Sequence, residues 1–199
     1  MYDIDINKID TVVVDFDETL VKSIDAFQKT YYYYYGNNGS KLELGNVRKW
    51  NFDDVFKDIK PHRVETVFGS KFFFDILQPY QDMLDAIKWL KSKGKKIVIL
   101  SLGTPKNLQY KSEFIDKNFS GLYDYLILAG SEDTVKMDKS IFNYSKGCVL
   151  IDDNKNNLLT SQCEFKILSR LYTDEECEWN ADWNGLEIKN GNELINIFR

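Results

Sequence analysis

Thr11–Phe16 (TVVVDF) is β-branched for four residues and then meets an acid, Asp15. A half-exposed strand would alternate polar and apolar residues. An unbroken apolar run instead belongs in a sheet that is covered on both faces. The pattern recurs at Lys96–Ser101 (KIVILS), Tyr125–Ala129 (YLILA), Cys148–Ile151 (CVLI) and Phe165–Leu168 (FKIL). Helical patterns lie between these runs. Gln81–Lys93 spaces Leu84, Ile87 and Leu90 for one helix face and is followed by Gly94, a C-cap residue. Pro105–Phe119 supplies Leu108, Phe114 and Ile115 in the same way. Strands alternating with helices predict an α/β fold with a parallel sheet. Ligands of such sheets bind at the carboxyl ends of the strands. The acids and hydroxyls of this sequence fall at those ends.

One interval breaks the rhythm. Asp15 and Ser101 are 86 positions apart, far more than a single crossover helix requires. Leu20–Tyr35 has the character of a helix. From about Gly36 to Gln78 strand character is weak and aromatics are frequent, with Gly36-Asn37-Asn38-Gly39-Ser40 as a turn. Residues 20–79 are therefore expected to form a small, mostly helical cap inserted after the first strand. Residues 1–19 and 80–199 are expected to form the core. A cap is preferred to a remote decoration because the insertion leaves directly from the strand end that bears the acids. The five tyrosines Tyr31–Tyr35 cover every side of a helix, so they are expected to be cap core more than ligand site, with some rings exposed.

Composition removes several classes of function. With 26 Lys+Arg against 31 Asp+Glu, the net charge of −5 disfavours an extended nucleic-acid surface, which needs a basic patch. His62 is the single histidine, so His-cluster metal sites are not expected. Cys148, Cys163 and Cys177 are odd in number and lack CxxC spacing, which argues against structural zinc or a disulfide framework. No GxxxxGK[ST] loop, signal peptide or membrane-length apolar stretch is present, so a cytoplasmic protein without membrane contact is expected.

The chemistry concentrates in four places. Asp15-Phe16-Asp17-Glu18-Thr19 puts two carboxylates two residues apart at the mouth of the first strand. Ser101 ends the second strand with a small hydroxyl. Lys136 follows the third, and Asp152-Asp153 closes the fourth with an acidic pair suited to a hard cation. Taken singly, each is also a strand terminus, a helix cap or a solvated side chain. The four in this order are hard to obtain by accident.

That order resembles the haloacid dehalogenase superfamily of phosphotransferases through VVVDFDETL, IVILS, KMDKSIF and VLIDDN, over Val12 to Asn157. The resemblance implies a three-layer αβα, Rossmann-like core and a catalytic Mg²⁺. It implies that Asp15 is the nucleophile that forms an aspartyl-phosphate and that Asp17 is the general acid and base. Ser101, Lys136 and Thr19 would bind phosphate. Asp15, the backbone carbonyl of Asp17, Asp152 and Asp153 would hold the metal.

Shorter features are similar to the 5′(3′)-deoxyribonucleotidase family: the position of the cap, the segment Lys71–Tyr80, Asp152-Asp153-Asn154 followed by Asn157-Leu158, and a tail with Trp179 and Trp183. This implies a nucleoside monophosphate as substrate, with Trp50, Phe52, Phe72 and Phe73 as base-contacting residues or as cap core. Members commonly carry Gly where Glu18 stands and an apolar residue at the place of Thr19. The DFDETL form instead resembles phosphatases of the DxDxT type acting on phosphorylated polymerase tails, although those lack a long insertion here. A protein phosphatase, a phosphatase for another small phosphorylated metabolite and a non-catalytic binding protein stay open as alternatives. So does the oligomeric state, a homodimer included.

Overall fold

The computed structural model describes residues 4–36, 45, 47–49, 52, 54–56, 59–130, 137–172 and 177–198. Six strands form its sheet: β1 (Thr11–Val14), β2 (Lys96–Gly103), β3 (Tyr125–Gly130), β4 (Cys148–Asp152), β5 (Phe165–Ser169) and β6 (Leu186–Ile188). All pairings are parallel, in the order β3-β2-β1-β4-β5-β6. Val14 is registered with Ile99 on one side and Ile151 on the other. Asp15, Ser101 and Asp152 thus emerge along one edge of the sheet. The five expected strands are found, each extended or trimmed by one or two residues.

Side chains alternate across the sheet and divide the core into two layers. Val12, Val14, Ile97, Ile99, Val149, Ile151 and Ile167 face one layer, and Val13, Val98, Leu100, Leu150 and Leu168 the other. The first is covered by α4 (Gln81–Ser92), α5 (Pro105–Asn118) and α7 (Gly191–Ile197), with Leu84, Leu90, Ile115 and Leu194 buried. On the second, Leu158 of α6 (Lys155–Thr160) packs with Cys163, Phe142, Tyr144 and Trp183. Burial on both faces is the reason β1, β2 and β4 read as continuous apolar runs, whereas the edge strand β3, equally apolar in sequence, leaves Tyr125 and Ile127 exposed. Gly94 lies just past α4 with φ 75°, a left-handed conformation that a Cβ would strain. The three-residue β6 and the helix α7 beyond it carry too short a pattern to announce themselves in the sequence. This is the three-layer α/β architecture expected from the strand runs.

The long interval holds α1 (Ser23–Tyr35), α2 (Pro61–Phe68) and α3 (Lys71–Ile76). Its two ends meet. Val21 bridges Pro79 antiparallel, the Lys22 amide donates to the Gln78 carbonyl at 2.8 Å, and the Tyr80 amide donates to the Leu20 carbonyl at 2.9 Å. An insertion anchored in this way stands directly above the edge where β1 ends. Within it Phe27 stacks on Phe52 at 4.1 Å, and Tyr31 lies 4.3 Å from Phe56. Tyr31 is buried, whereas Tyr33 and Tyr34 face solvent, and Tyr33 stacks on Phe72 at 4.5 Å. The tyrosine tract is therefore part cap core and part outer surface.

Candidate active site

Phe16 sets the geometry of the first strand's end. Its ring is fully buried, edge-on to Phe114 at 5.9 Å and Phe119 at 6.1 Å. With Phe16 pinned to the core, alternation turns the flanking Asp15 and Asp17 the other way, into a cavity of about 510 Å³ that Ser101, Lys139 and Asp153 also line. Helix-side residues Gly103, Thr104 and Asn107 complete the wall beside Ser101, and the insertion contributes Ile24, Phe52, Val64 and Phe68. A Cβ at Gly103 would stand 2.3 Å from Asn107 Oδ1, so a larger residue there would displace the Asn107 side chain from the wall.

The floor of the cavity is a charge cluster. Oxygens of Asp15, Asp152 and Asp153 lie within 4.8 Å of one another. Lys139, which is almost wholly buried, donates from Nζ to Asp15 Oδ1 and to Asp152 Oδ2, both at 2.5 Å. Asp152 is held in turn by the Asn154 amide at 2.8 Å and by Asn157 Nδ2 at 3.1 and 3.2 Å. Trp179 Nε1 donates to Asp153 Oδ2 at 3.1 Å.

Burial is the main force on these groups. It pushes the Asp15 carboxyl up to about 7; Lys139 draws it back down, while Asp152 and Asp17 push it higher. Asp153 is also raised, first by burial and then by the charges of Asp15 and Asp152. Burial alone would depress the Lys139 ammonium, yet Asp15 and Asp152 outweigh it and hold Lys139 above the ordinary lysine value. Three crowded carboxyl groups share one ammonium, so Asp15 and Asp153 hold their protons to higher pH than an ordinary carboxyl group does. Carboxylate oxygens are the donors a hard divalent cation prefers, so Asp15, Asp152 and Asp153 fit such an ion.

Asp17 stands beside this cluster. Ser23 Oγ, at the start of α1, donates to its Oδ1 at 2.7 Å, and Lys111 Nζ, on α5, donates to its Oδ2 at 2.6 Å. Glu18 follows in a left-handed conformation, φ 51°. Its side chain compensates for that strain, accepting from the Ile24 amide at 2.6 Å and from Tyr80 Oη at 2.8 Å. Burial raises the Glu18 carboxyl to about 8 against these two hydrogen bonds.

The expected residues separate clearly. Asp15, Asp17, Ser101, Asp152 and Asp153 come together. Lys136 lies outside the described residues, and the ammonium seen between the carboxylates is that of Lys139, three positions on. Thr19 does not line the cavity: it is wholly buried at the turn, and its hydroxyl meets no hydrogen-bond partner among the described residues. Of the aromatics, Phe52 lines the cavity while Trp50 lies outside the described residues. Phe72 and Phe73 do not line the cavity, and of the two readings open to them Phe73 takes that of cap core. Phe73 is fully buried against Phe68 and Phe74, and Phe72 stacks outward on Tyr33. Consecutive helix positions point about 100° apart, and on α3 the buried side takes Phe73 and Phe74 and leaves Phe72 on the outer one.

Lys111, Ser23 and Glu18 were not anticipated. Lys111 carried a signal: with Asn107, Phe114 and Ile115 it occupies the buried stripe of α5, where a lysine demands a partner. Lys139 sits in a 3₁₀ turn, Lys139–Ile141, where no periodicity marks a residue as buried.

Residues 9–145 match the haloacid dehalogenase-like hydrolase family. The chain belongs to that family. Solved structures agree on the fold. A candidate phosphatase from Clostridium difficile superimposes with a TM-score of 0.66 at 15% identity, covering 96% of this chain and 99% of that one. A candidate phosphoglycolate phosphatase from Lactobacillus delbrueckii subsp. bulgaricus gives 0.63 at 15% identity, with coverages of 94% and 97%. The candidate HAD-hydrolase YfnB from Bacillus subtilis, solved bound to magnesium, gives 0.60 at 14% identity, with coverages of 96% and 99%. No curated protein sequence matches the chain. The haloacid dehalogenase-like core thus places its acids at the sheet edge and its insertion above them.

Proposed function

We propose that this hydrolase cleaves small phosphomonoesters through an aspartyl-phosphate on Asp15, with Mg²⁺ held by Asp15, the Asp17 carbonyl, Asp152 and Asp153. The observation that carries the reading is the convergence of Asp15, Asp17, Ser101 and Lys139 on one cavity floor with three clustered carboxylates. When bound, the cation supplies positive charge that lets a carboxylate approach a phosphate. An Asp15 oxygen attacks phosphorus, the bond to the leaving oxygen breaks, and Asp17 gives that oxygen its proton. Asp17, now ionised, takes a proton from water as the water attacks the phosphoryl group, which frees Asp15 and phosphate. Splitting hydrolysis in this way replaces one hard step with two easier ones. Ser101 donates to a phosphoryl oxygen, and Lys136 is proposed to pair with the same group. Lys139 has another task, securing Asp15 and Asp152 against each other.

Among small phosphomonoesters, (deoxy)nucleoside monophosphates are the proposed first choice. About 510 Å³ lies within the range of small-molecule sites. Phe52 and Phe68 contribute apolar ring surface to the cavity from the insertion, a surface on which a base would stack. A roofed cavity also suits a small substrate better than a peptide, because closure excludes water. The test is a phosphatase screen with Mg²⁺ across deoxyribo- and ribonucleoside monophosphates, sugar phosphates, phosphoglycolate and a phosphoserine peptide. Selectivity for nucleotides supports the reading. Preference for the peptide overturns the small-substrate assignment, and preference for a sugar phosphate or phosphoglycolate overturns the nucleotide one.

A further inference from the structure

We infer that Lys111 is a positioning residue of the phosphoryl-transfer site, acting through Ser101 and Asp17 and not on the substrate itself. The inference rests on the phosphomonoesterase reading above. Lys111 is 1% exposed and does not line the cavity, so its ammonium lies behind the wall that Ser101 and Asp17 present to a ligand. An ammonium has three donors. Lys111 Nζ donates to Asp17 Oδ2 at 2.6 Å, to Ser101 Oγ at 2.9 Å and to the Leu102 carbonyl at 3.2 Å. None is left over for a substrate.

Each contact fixes something the reaction needs. Because Ser101 Oγ accepts from Lys111, its own hydrogen is free to point into the cavity as a donor to a phosphoryl oxygen. Asp17 is gripped from two sides, Lys111 on Oδ2 from the core and Ser23 on Oδ1 from the insertion, which sets the plane of the carboxyl group. The same ammonium lies 5.3 Å from the centre of the Phe16 ring, the residue that turns Asp15 and Asp17 toward the cavity. Packing gives no reason for a cation here. A buried lysine is costly unless paired, and an apolar side chain on the stripe with Phe114 and Ile115 would fill the same place. A buried ammonium whose acceptors include the proposed acid and the proposed phosphate donor is explained by its effect on them.

A positioning role on the acid has a signature that general loss of structure lacks. Cleaving an alkyl phosphate needs Asp17 to protonate a poor leaving group, whereas p-nitrophenyl phosphate has a leaving group that departs largely unaided. The experiment compares kcat/KM for p-nitrophenyl phosphate and for an alkyl phosphomonoester, with Mg²⁺, in wild type and in Lys111→Met. The expected result is that the aryl-to-alkyl ratio rises on the order of 10-fold or more in the variant. An unchanged ratio, with both rates lowered equally or neither lowered, overturns the inference. If Lys111→Met does not fold, Lys111→Gln, close in length and polar, carries the same comparison under the same criterion. Wild type inert toward both substrates is a different failure: it sinks the phosphomonoesterase reading, and this inference with it.

Discussion

At the carboxyl edge of the sheet, Asp15, Ser101 and Asp152 follow three neighbouring strands and are buried, with the partly exposed Asp17 and Asp153 beside them. In the insertion above, aromatic rings meet mostly one another: Phe27 with Phe52, Tyr31 with Phe56, Phe73 with Phe74 and Tyr33 with Phe72. The first region holds polar groups against one another in fixed positions. Parallel strands in fixed register deliver Asp15 and Asp152 side by side, and Lys139 ties them together. The second spends its side chains on holding three short helices as a unit, with Phe52 and Phe68 left to face the cavity. Residue type alone did not separate these uses. A single acid at a strand end has an ordinary structural reason to be there, as does an aromatic in a helix; what distinguished the acids was their recurrence at the ends of neighbouring strands.

Substitutions should break this contrast in order of size. Asp15→Asn removes the proposed nucleophile and is expected to lower kcat by at least about 10⁴-fold while the circular dichroism spectrum is unchanged. Removing metal with a chelator should abolish turnover, and restoring Mg²⁺ should recover it. Independently of activity, Mg²⁺ should raise Tm, because an ion bound at the acid cluster of the folded state contributes about 2.7 kcal/mol at a hundredfold excess over Kd. Lys139→Met leaves Asp15 and Asp152 facing each other unpaired, and an unfolding titration should show a loss of about 3–5 kcal/mol. Phe73→Ala should cost a similar 3–5 kcal/mol through a core cavity, with KM little changed if enough folded protein survives. Phe52→Ala sits at the smallest end. It should raise KM for a nucleotide by roughly 10-fold, the worth of one lost apolar contact surface, and leave KM for p-nitrophenyl phosphate within about twofold. Equal effects of Phe52→Ala and Phe73→Ala on nucleotide KM would erase the distinction between cavity wall and cap core.

The layered fold was legible because burial on both faces forces an unmistakable pattern. TVVV, KIVIL and CVLI cannot serve as half-exposed strands, and their ends mark the site. Asp15, Asp17, Ser101, Asp152 and Asp153 follow from that placement. What escaped depends on packing between segments distant in sequence. Phe72 and Phe73 differ only in the direction a helix turns them. Thr19 follows the acids directly, yet the turn at Glu18 carries it into the core. Lys111 is 94 residues from Asp17 in the chain, and only its place on an apolar helix stripe hinted that it was buried. Lys139 had no such hint.

In the proposed mechanism Asp15 carries the phosphoryl group and Asp17 moves the protons. Asp17→Asn isolates the two halves when given p-nitrophenyl phosphate, whose leaving group needs no acid. Rapid mixing should then release p-nitrophenol in a burst of about one equivalent per active site, followed by near-arrest, because no base remains to activate water. Acid-quenched protein should carry the phosphate on the peptide containing Asp15, and Asp15→Asn/Asp17→Asn should show no burst. Steady turnover without a burst in Asp17→Asn, or phosphate found on any other residue, would contradict the account.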